Sequence, residues 1–226
     1  MSEASPDPGD LEIVLGLLTS IERDSAVTQR KLAGDLGIAL GLANAYLRRC
    51  VRKGLVKVSQ VPLNRYAYYL TPQGFAEKSR LTAEYLAYSF DFFRRARHDC
   101  SEVLRECAAR EWRRVVLYGA GELAEIAALS VGDSGVEIVC VVDAGAAGRR
   151  CAGLVVVADL VAARRHAAPD AIEGVVLTDT RGPQASFEQL RALLAQDGCE
   201  PESVVAPRLL GISTAPSVAA EPAAAT

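Results

Sequence analysis

Four apolar residues, Val115-Val116-Leu117-Tyr118, run straight into Gly119-Ala120-Gly121-Glu122-Leu123-Ala124. Nothing else in the chain restricts its fold as tightly. An apolar strand entering G-x-G-x-x-A predicts a strand, a tight turn and a helix. Gly119 permits the turn, Gly121 lets the backbone approach a phosphate, and Ala124 allows close helix–strand packing. The start of the helix supplies unpaired N–H groups and the positive end of its dipole. A second strand, Val136–Val142, leads into Asp143, where a carboxylate would accept ribose hydroxyls and repel a 2′-phosphate. Gly119, Ala120, Gly121, Glu122, Leu123 and Asp143 are therefore the candidate nucleotide-binding residues. Glu122 places a negative charge where a pyrophosphate would sit, which Arg149-Arg150 could offset. Such a domain can also keep its glycine turn, bind no nucleotide and serve as a docking platform.

Strands alternate with helices from Val115 to about Ala206. Residues 112–210 thus read as a Rossmann-like parallel α/β domain, and the chain as α/β overall. Asp179 and Thr180, after the fourth strand, fall at the carboxyl edge where ligands of such sheets bind.

The N-terminal half has a different character. Residues 25–82 hold ten Lys/Arg (Arg30, Lys31, Arg48, Arg49, Arg52, Lys53, Lys57, Arg65, Lys78, Arg80) against Asp35 and Glu77, inside a chain of formal net charge −3. A basic island in an acidic protein points to a phosphate backbone, because each Lys/Arg–phosphate contact releases condensed counterions. Periodicity predicts a helix from Asp10, with Asp10 as N-cap and Leu11, Val14, Leu15, Leu18 and Ile21 inward. A second helix, capped by Thr28 and stopped by Gly37, has Leu32, Ala33 and Leu36 inward. A third runs from about Leu40 to Gly54, its C′ glycine, with Leu42, Tyr46 or Leu47, and Val51 as the buried stripe. LVKVSQV and YAYYLT then alternate at period 2 around a turn at Pro62–Arg65 and predict a hairpin.

Helix, short turn, helix and hairpin is the order of a winged helix-turn-helix, in which the second helix enters the major groove. The DNA-contacting candidates are Thr28, Gln29 and Arg30 at the start of the first helix of the pair, Asn44, Arg48, Arg49, Arg52 and Lys53 on the second, and Arg65 at the hairpin tip. Asn44 could pair bidentately with adenine; Arg48 could read guanine or hold a phosphate. Residues 10–80 resemble the winged-helix domain of MarR-type bacterial regulators, through Gly54-Leu55-Val56 leaving the recognition helix and Tyr69-Leu70-Thr71-Pro72-Gln73-Gly74 closing the wing. The resemblance implies binding to double-stranded DNA as a homodimer on an inverted repeat. The wing here is short and carries a single Arg. Winged helices also serve as protein-interaction modules.

Thr71 and Pro72 predict the N-cap and first residue of a long helix that no Gly or Pro interrupts between Phe75 and Arg110. Leu86, Phe90, Phe93, Arg97, Cys100, Leu104 and Cys107 recur along it at heptad-like steps. A dimer partner or the protein's own C-terminal module would cover that stripe. The domain plan is therefore 1–9 disordered, 10–74 winged helix, 75–111 connecting and dimerisation helix, 112–210 ligand-binding domain, and 211–226 a disordered tail.

After Asp143, Gly148-Arg149-Arg150-Cys151-Ala152-Gly153-Leu154-Val155-Val156 is similar to a stretch found in two families. One is the Rex redox-sensing repressors, which join a winged helix to an NAD(H)-binding domain; the other is the N-terminal, nucleotide-sugar-binding domain of sugar acyltransferases. The domain order matches Rex, with Ala124 at the third glycine position. These resemblances imply NAD(H) or a nucleotide-sugar as the ligand.

No apolar run reaches the length of a membrane span, and the acidic, Pro-rich start has no signal-peptide core. Six scattered cysteines without C-x-x-C, and two histidines, His98 and His166, argue against a metal site and for reduced thiols in a cytoplasmic protein. The C-terminal half lacks a nucleophile–base arrangement and has no room for a separate substrate domain. The expected function is a DNA-binding transcriptional regulator, not an enzyme, whose C-terminal domain senses a nucleotide. The alternatives are an adaptor working through protein contacts at both modules, or a nucleotide-sugar or NAD enzyme with an accessory winged helix.

Overall fold

A computed structural model describes residues 8–61, 65–132, 134–196 and 203–213. The chain divides into two compact units, Met1–Asp91 and Phe92–Thr226.

In the first unit, α1 (Pro8–Arg23), α2 (Gln29–Asp35) and α3 (Leu40–Arg52) precede an antiparallel hairpin of β1 (Val56–Val61) and β2 (Arg65–Leu70), and α4 (Pro72–Ala109) follows. Thr28 caps α2 as expected, its Oγ1 accepting the Lys31 N–H at 3.2 Å. Gly54 (φ +70) closes α3: its N–H donates to Val51 O while the Leu55 N–H donates to Cys50 O, the paired bonds of a Schellman cap. Thr71 caps α4 through the Gly74 N–H at 3.0 Å and donates to Gly54 O at 2.6 Å, so one hydroxyl joins the end of α3 to the start of α4.

Three expectations are corrected here. Helix α1 starts before Asp10, at Pro8, so residues 8–9 are helical; residues 1–7 and 214–226 lie outside the described residues. Asp10 is not a cap but a tertiary link: its carboxylate accepts from the Tyr46 hydroxyl and pairs with Arg49 on α3. The buried stripe of α3 is Ala43, Leu47 and Cys50: Leu47 is inward as expected, Tyr46 and Val51 are only half-buried against the same core, and Leu42 is exposed. Steps of four and three share one helix face, and residue 42 stands about 100° away from residue 43. The core that these positions enter holds Leu17, Leu18 and Ile21 of α1, Leu32 of α2, Val56 and Tyr68 of the hairpin, and Leu81 of α4.

The second unit is built on a six-stranded sheet ordered β5-β6-β4-β3-β7-β8. Its strands are β3 (Arg114–Tyr118), β4 (Glu137–Val142), β5 (Arg150–Cys151), β6 (Leu154–Val157), β7 (Gly174–Leu177) and β8 (Val204–Val205). All pairings are parallel except β5 with β6 at the edge. One face packs against α5 (Glu122–Leu129) and the C-terminal part of α4; the other packs against α6 (Leu160–Ala167) and α7 (Pro183–Gln196). Burial on both faces explains the near-continuous apolar runs of β3, β4 and β7. The register of β4 against β3 slips between Val115 and Leu117, which turns Ile138 and Val141 to one face and Cys140 and Val142 to the other.

Strict strand–helix alternation fails at one place. Between β4 and β6 the chain makes a 3-10 turn at Ala144–Ala146 and the strand β5, with no α-helix. Ala152 (φ +49) and Gly153 (φ +82) form the two-residue turn from β5 to β6, the left-handed pair that matches strand twist.

Of the two covers expected for the α4 stripe, a dimer partner or the protein's own C-terminal module, its C-terminal half takes the second. Ala96, Cys100, Val103, Leu104 and Cys107 of α4 are buried in the sheet core of their own unit, and Arg97 is exposed.

Candidate functional site

The basic island separates into two sets once its partners are known. Lys31 pairs with Asp24, Arg49 with Asp10, Lys78 with Glu22, and Arg80 with Glu77 and Glu84. Arg30, Arg48, Arg52, Lys53 and Lys57 are exposed and have no ion pair among the described residues. The acids that neutralise Lys31, Arg49 and Lys78 come from α1 and the turn after it, which the composition of 25–82 does not include. Asn64 lies outside the described residues, as does the side chain of Arg65.

Between α3 and the hairpin lies an open groove of about 700 Å³. Arg48 and Arg52 line it from the helix, and Val58, Tyr66 and Tyr68 from the wing. At its end the Gln29 Nε2 donates to the Tyr68 hydroxyl at 3.2 Å. Gln29 is thus partly engaged with the wing, and the hydroxyl of Thr28 caps α2. The start of α3 presents Leu40, Gly41, Leu42 and Ala45 to solvent. These are small or apolar groups suited to thymine methyls rather than to hydrogen bonds.

Asn44 departs from its expected role. It is half-buried, and its Oδ1 is enclosed with no hydrogen-bond partner among the described residues. Bidentate pairing with adenine needs Oδ1 and Nδ2 together in the groove, and this rotamer withholds the oxygen. Arg49, held by Asp10, also differs from Arg48 and Arg52.

In the second unit the sheet order reverses between β3 and β7, so these two strands open a crevice at their carboxyl ends. Gly119 (φ +104) makes the turn, and a Cβ there would lie 2.5 Å from the Asp179 backbone. Gly121 is extended, and a Cβ on it would meet nothing within 4 Å. No side chain caps α5 at Gly121.

Asp143 does not stand open for a ribose. It is almost fully buried; Oδ2 accepts the Ala120 N–H at 3.0 Å and Arg181 Nη2 at 2.7 Å, and Oδ1 accepts the Gly145 N–H at 2.9 Å. Arg181 Nε reaches Asp179 Oδ1 at 2.8 Å, and Ser186 donates to Asp179 Oδ2 at 2.7 Å. Burial alone raises the pKa of both carboxyls. For Asp143 the Ala120 N–H and Arg181 outweigh it, for Asp179 Arg181 and Ser186 do, and both end below the ordinary aspartate value. Leu123 is buried in the sheet core, so it serves packing, while Glu122 is exposed. Arg150 is held in its own hairpin by Gly153 O at 2.7 Å.

Reading the sequence missed Arg181. Its signal was present: a charged residue two positions past Asp179, at the carboxyl end of a predicted strand. It also missed the groove walls Tyr66 and Tyr68, since alternation tells which face a strand residue takes but not what stands opposite.

Residues 10–57 match the family described as winged helix-turn-helix DNA-binding, and this stretch is a winged helix-turn-helix DNA-binding module. Among solved structures, MepR, a transcription regulator of the Staphylococcus aureus multidrug efflux pump MepA, is 22% identical at a TM-score of 0.32. The match covers 37% of this chain and 61% of that one, a likeness too slight to carry functional weight. Comparison with curated proteins yields no match. Among the described residues no helix is long and apolar enough to cross a membrane, and no group of three or more His, Cys, Asp or Glu could hold a metal ion.

Proposed function

We propose that the protein is a DNA-binding transcription regulator that works as a homodimer, with α3 in the major groove and the β1–β2 wing over the adjoining backbone. The observation that carries this reading is the set of five exposed cations on and around α3 that have no ion pair among the described residues, in a chain that is acidic overall. Cations already paired within the fold release no counterions on DNA; unpaired ones do. Arg48 and Arg52, at the groove between helix and wing, are the contacts assigned to phosphate or guanine.

Anisotropy of a labelled random-sequence duplex at rising salt tests this. The logarithm of affinity should fall linearly with the logarithm of salt, and Arg48→Ala with Arg52→Ala should flatten that slope by about 1.8. Absence of binding at about 50 mM salt would sink the proposal.

The C-terminal unit we read as Rossmann-like, from its parallel order around β3 and its glycine turn. A nucleotide such as NAD(H) or a nucleotide-sugar, held by residues 119–123 and Asp143, is the ligand its motif suggests. A specific observation favours a second reading for this unit, a protein-docking platform: the groups that would take the nucleotide already bond to one another.

A further inference from the structure

A dinucleotide asks three things of a glycine-turn crevice: free amides for the pyrophosphate, a free carboxylate for the ribose, and a field that tolerates negative charge. The crevice here withholds the second and third of these and part of the first. The Ala120 amide points at a carboxylate oxygen 3.0 Å away. That carboxylate, Asp143, has both oxygens engaged, Oδ1 by Gly145 and Oδ2 by Ala120 and Arg181. Asp143, Asp179 and Glu122 set three negative charges about the crevice. Arg181 is the cation that reaches it, and its guanidinium already bridges two of them.

We infer that this crevice is filled from within: the Asp143 carboxylate occupies the place of a ligand phosphate at the Ala120 amide, Arg181 locks it there, and the domain holds no dinucleotide. The geometry favours closure rather than a passing contact. The Asp143 side chain is only 5% exposed while that of Arg181 is 67% exposed, so the lock lies outside and the filled position behind it. A phosphate would have to displace a buried anion that is itself hydrogen-bonded on both oxygens, and charge-assisted bonds of this kind are the strong ones. Gly121, where no side chain is needed and none would clash, is then a remnant of the motif and not a working part of it.

The inference rests on the crevice alone, so the DNA-binding experiment above can fail without touching it. The test uses the full chain, titrated with NAD⁺, NADH and UDP-N-acetylglucosamine to about 1 mM, a hundredfold excess over a typical Kd. The amide resonances of Ala120, Gly121 and Leu123 should stay in place and the melting temperature should not rise. Saturable movement of those amides with any of the three overturns the inference. A second measurement needs no ligand. Hydrogen exchange at the Ala120 amide should be slow in the native chain and about tenfold or more faster in Asp143→Ala. An Ala120 amide that exchanges in the native chain as fast as an unbonded surface amide would equally overturn it.

Discussion

Gly119 and Gly121 occupy equivalent-looking places in one motif, yet the fold needs only the first. A side chain at 119 would meet the Asp179 backbone at 2.5 Å in a left-handed conformation, whereas at 121 it would meet open space. Gly119→Ala should therefore destabilise the C-terminal unit by about 3 kcal/mol, combining backbone strain and overpacking. Gly121→Ala should stay within about 0.5 kcal/mol of the parent. Urea unfolding of both variants decides it, and equal losses would refute the assignment. Asn44 shows the reverse situation, a residue whose type suits base reading but whose buried Oδ1 has no partner among the described residues. The choice of an amide was legible; its rotamer was set by what packs around α3.

At the scale of elements, α4 has two characters. Its C-terminal part is fastened to the sheet through Cys100, Leu104 and Cys107, and burial pushes both thiols up to about 12. Both are small residues of that core. Between Leu81 and Ala96 the same helix leaves Tyr85, Leu86, Tyr88, Phe90, Phe92 and Phe93 between 39% and 57% exposed. At 100° per residue these six cover an arc of about 200°. An arc of that width exceeds a two-helix seam and asks for a broad helical interface. Part of the expected heptad stripe is thus taken by the protein's own sheet, and the aromatic part stays exposed, where the homodimer we propose would cover it. Replacing Tyr88 and Phe92 with Ser should turn a dimer into a monomer in analytical ultracentrifugation while leaving helicity unchanged. A parent chain that is already monomeric at about 10 µM would refute the dimer.

For the molecule as a whole, the arrangement of its charges has two consequences. One is the exposed cation set of the winged helix. The other is acid sensitivity, because carboxylates with lowered pKa occur in both units: Asp10, Asp24 and Glu77 in the first, Asp143 and Asp179 in the second. A carboxyl whose folded pKa lies below its unfolded value stabilises the fold above the unfolded pKa, about 4. That contribution is lost as pH falls through the folded value. Denaturant midpoints should therefore be nearly flat from about pH 7 to 5 and fall steadily below about pH 4. A midpoint unchanged at about pH 3 would show that these ion pairs and hydrogen bonds contribute nothing.

Much of this was legible in local patterns. The caps at Thr28 and Thr71, the stop at Gly54 and the strand–turn–helix at Gly119 each depend on residues a few positions apart, so the chain alone determined them. The helix–helix–hairpin order and the alternating C-terminal half followed from periodicity. What sequence could not supply was pairing at a distance. Asp10 joins Arg49 across 39 positions and Arg181 joins Asp143 across 38. The first pair removes a cation from the expected DNA surface, and the second fills the expected nucleotide position. Backbone preference and burial period are properties of neighbours along the chain and are written there. Which charges stay free, and which amides stay open, depends on groups that only the tertiary fold brings within bonding distance.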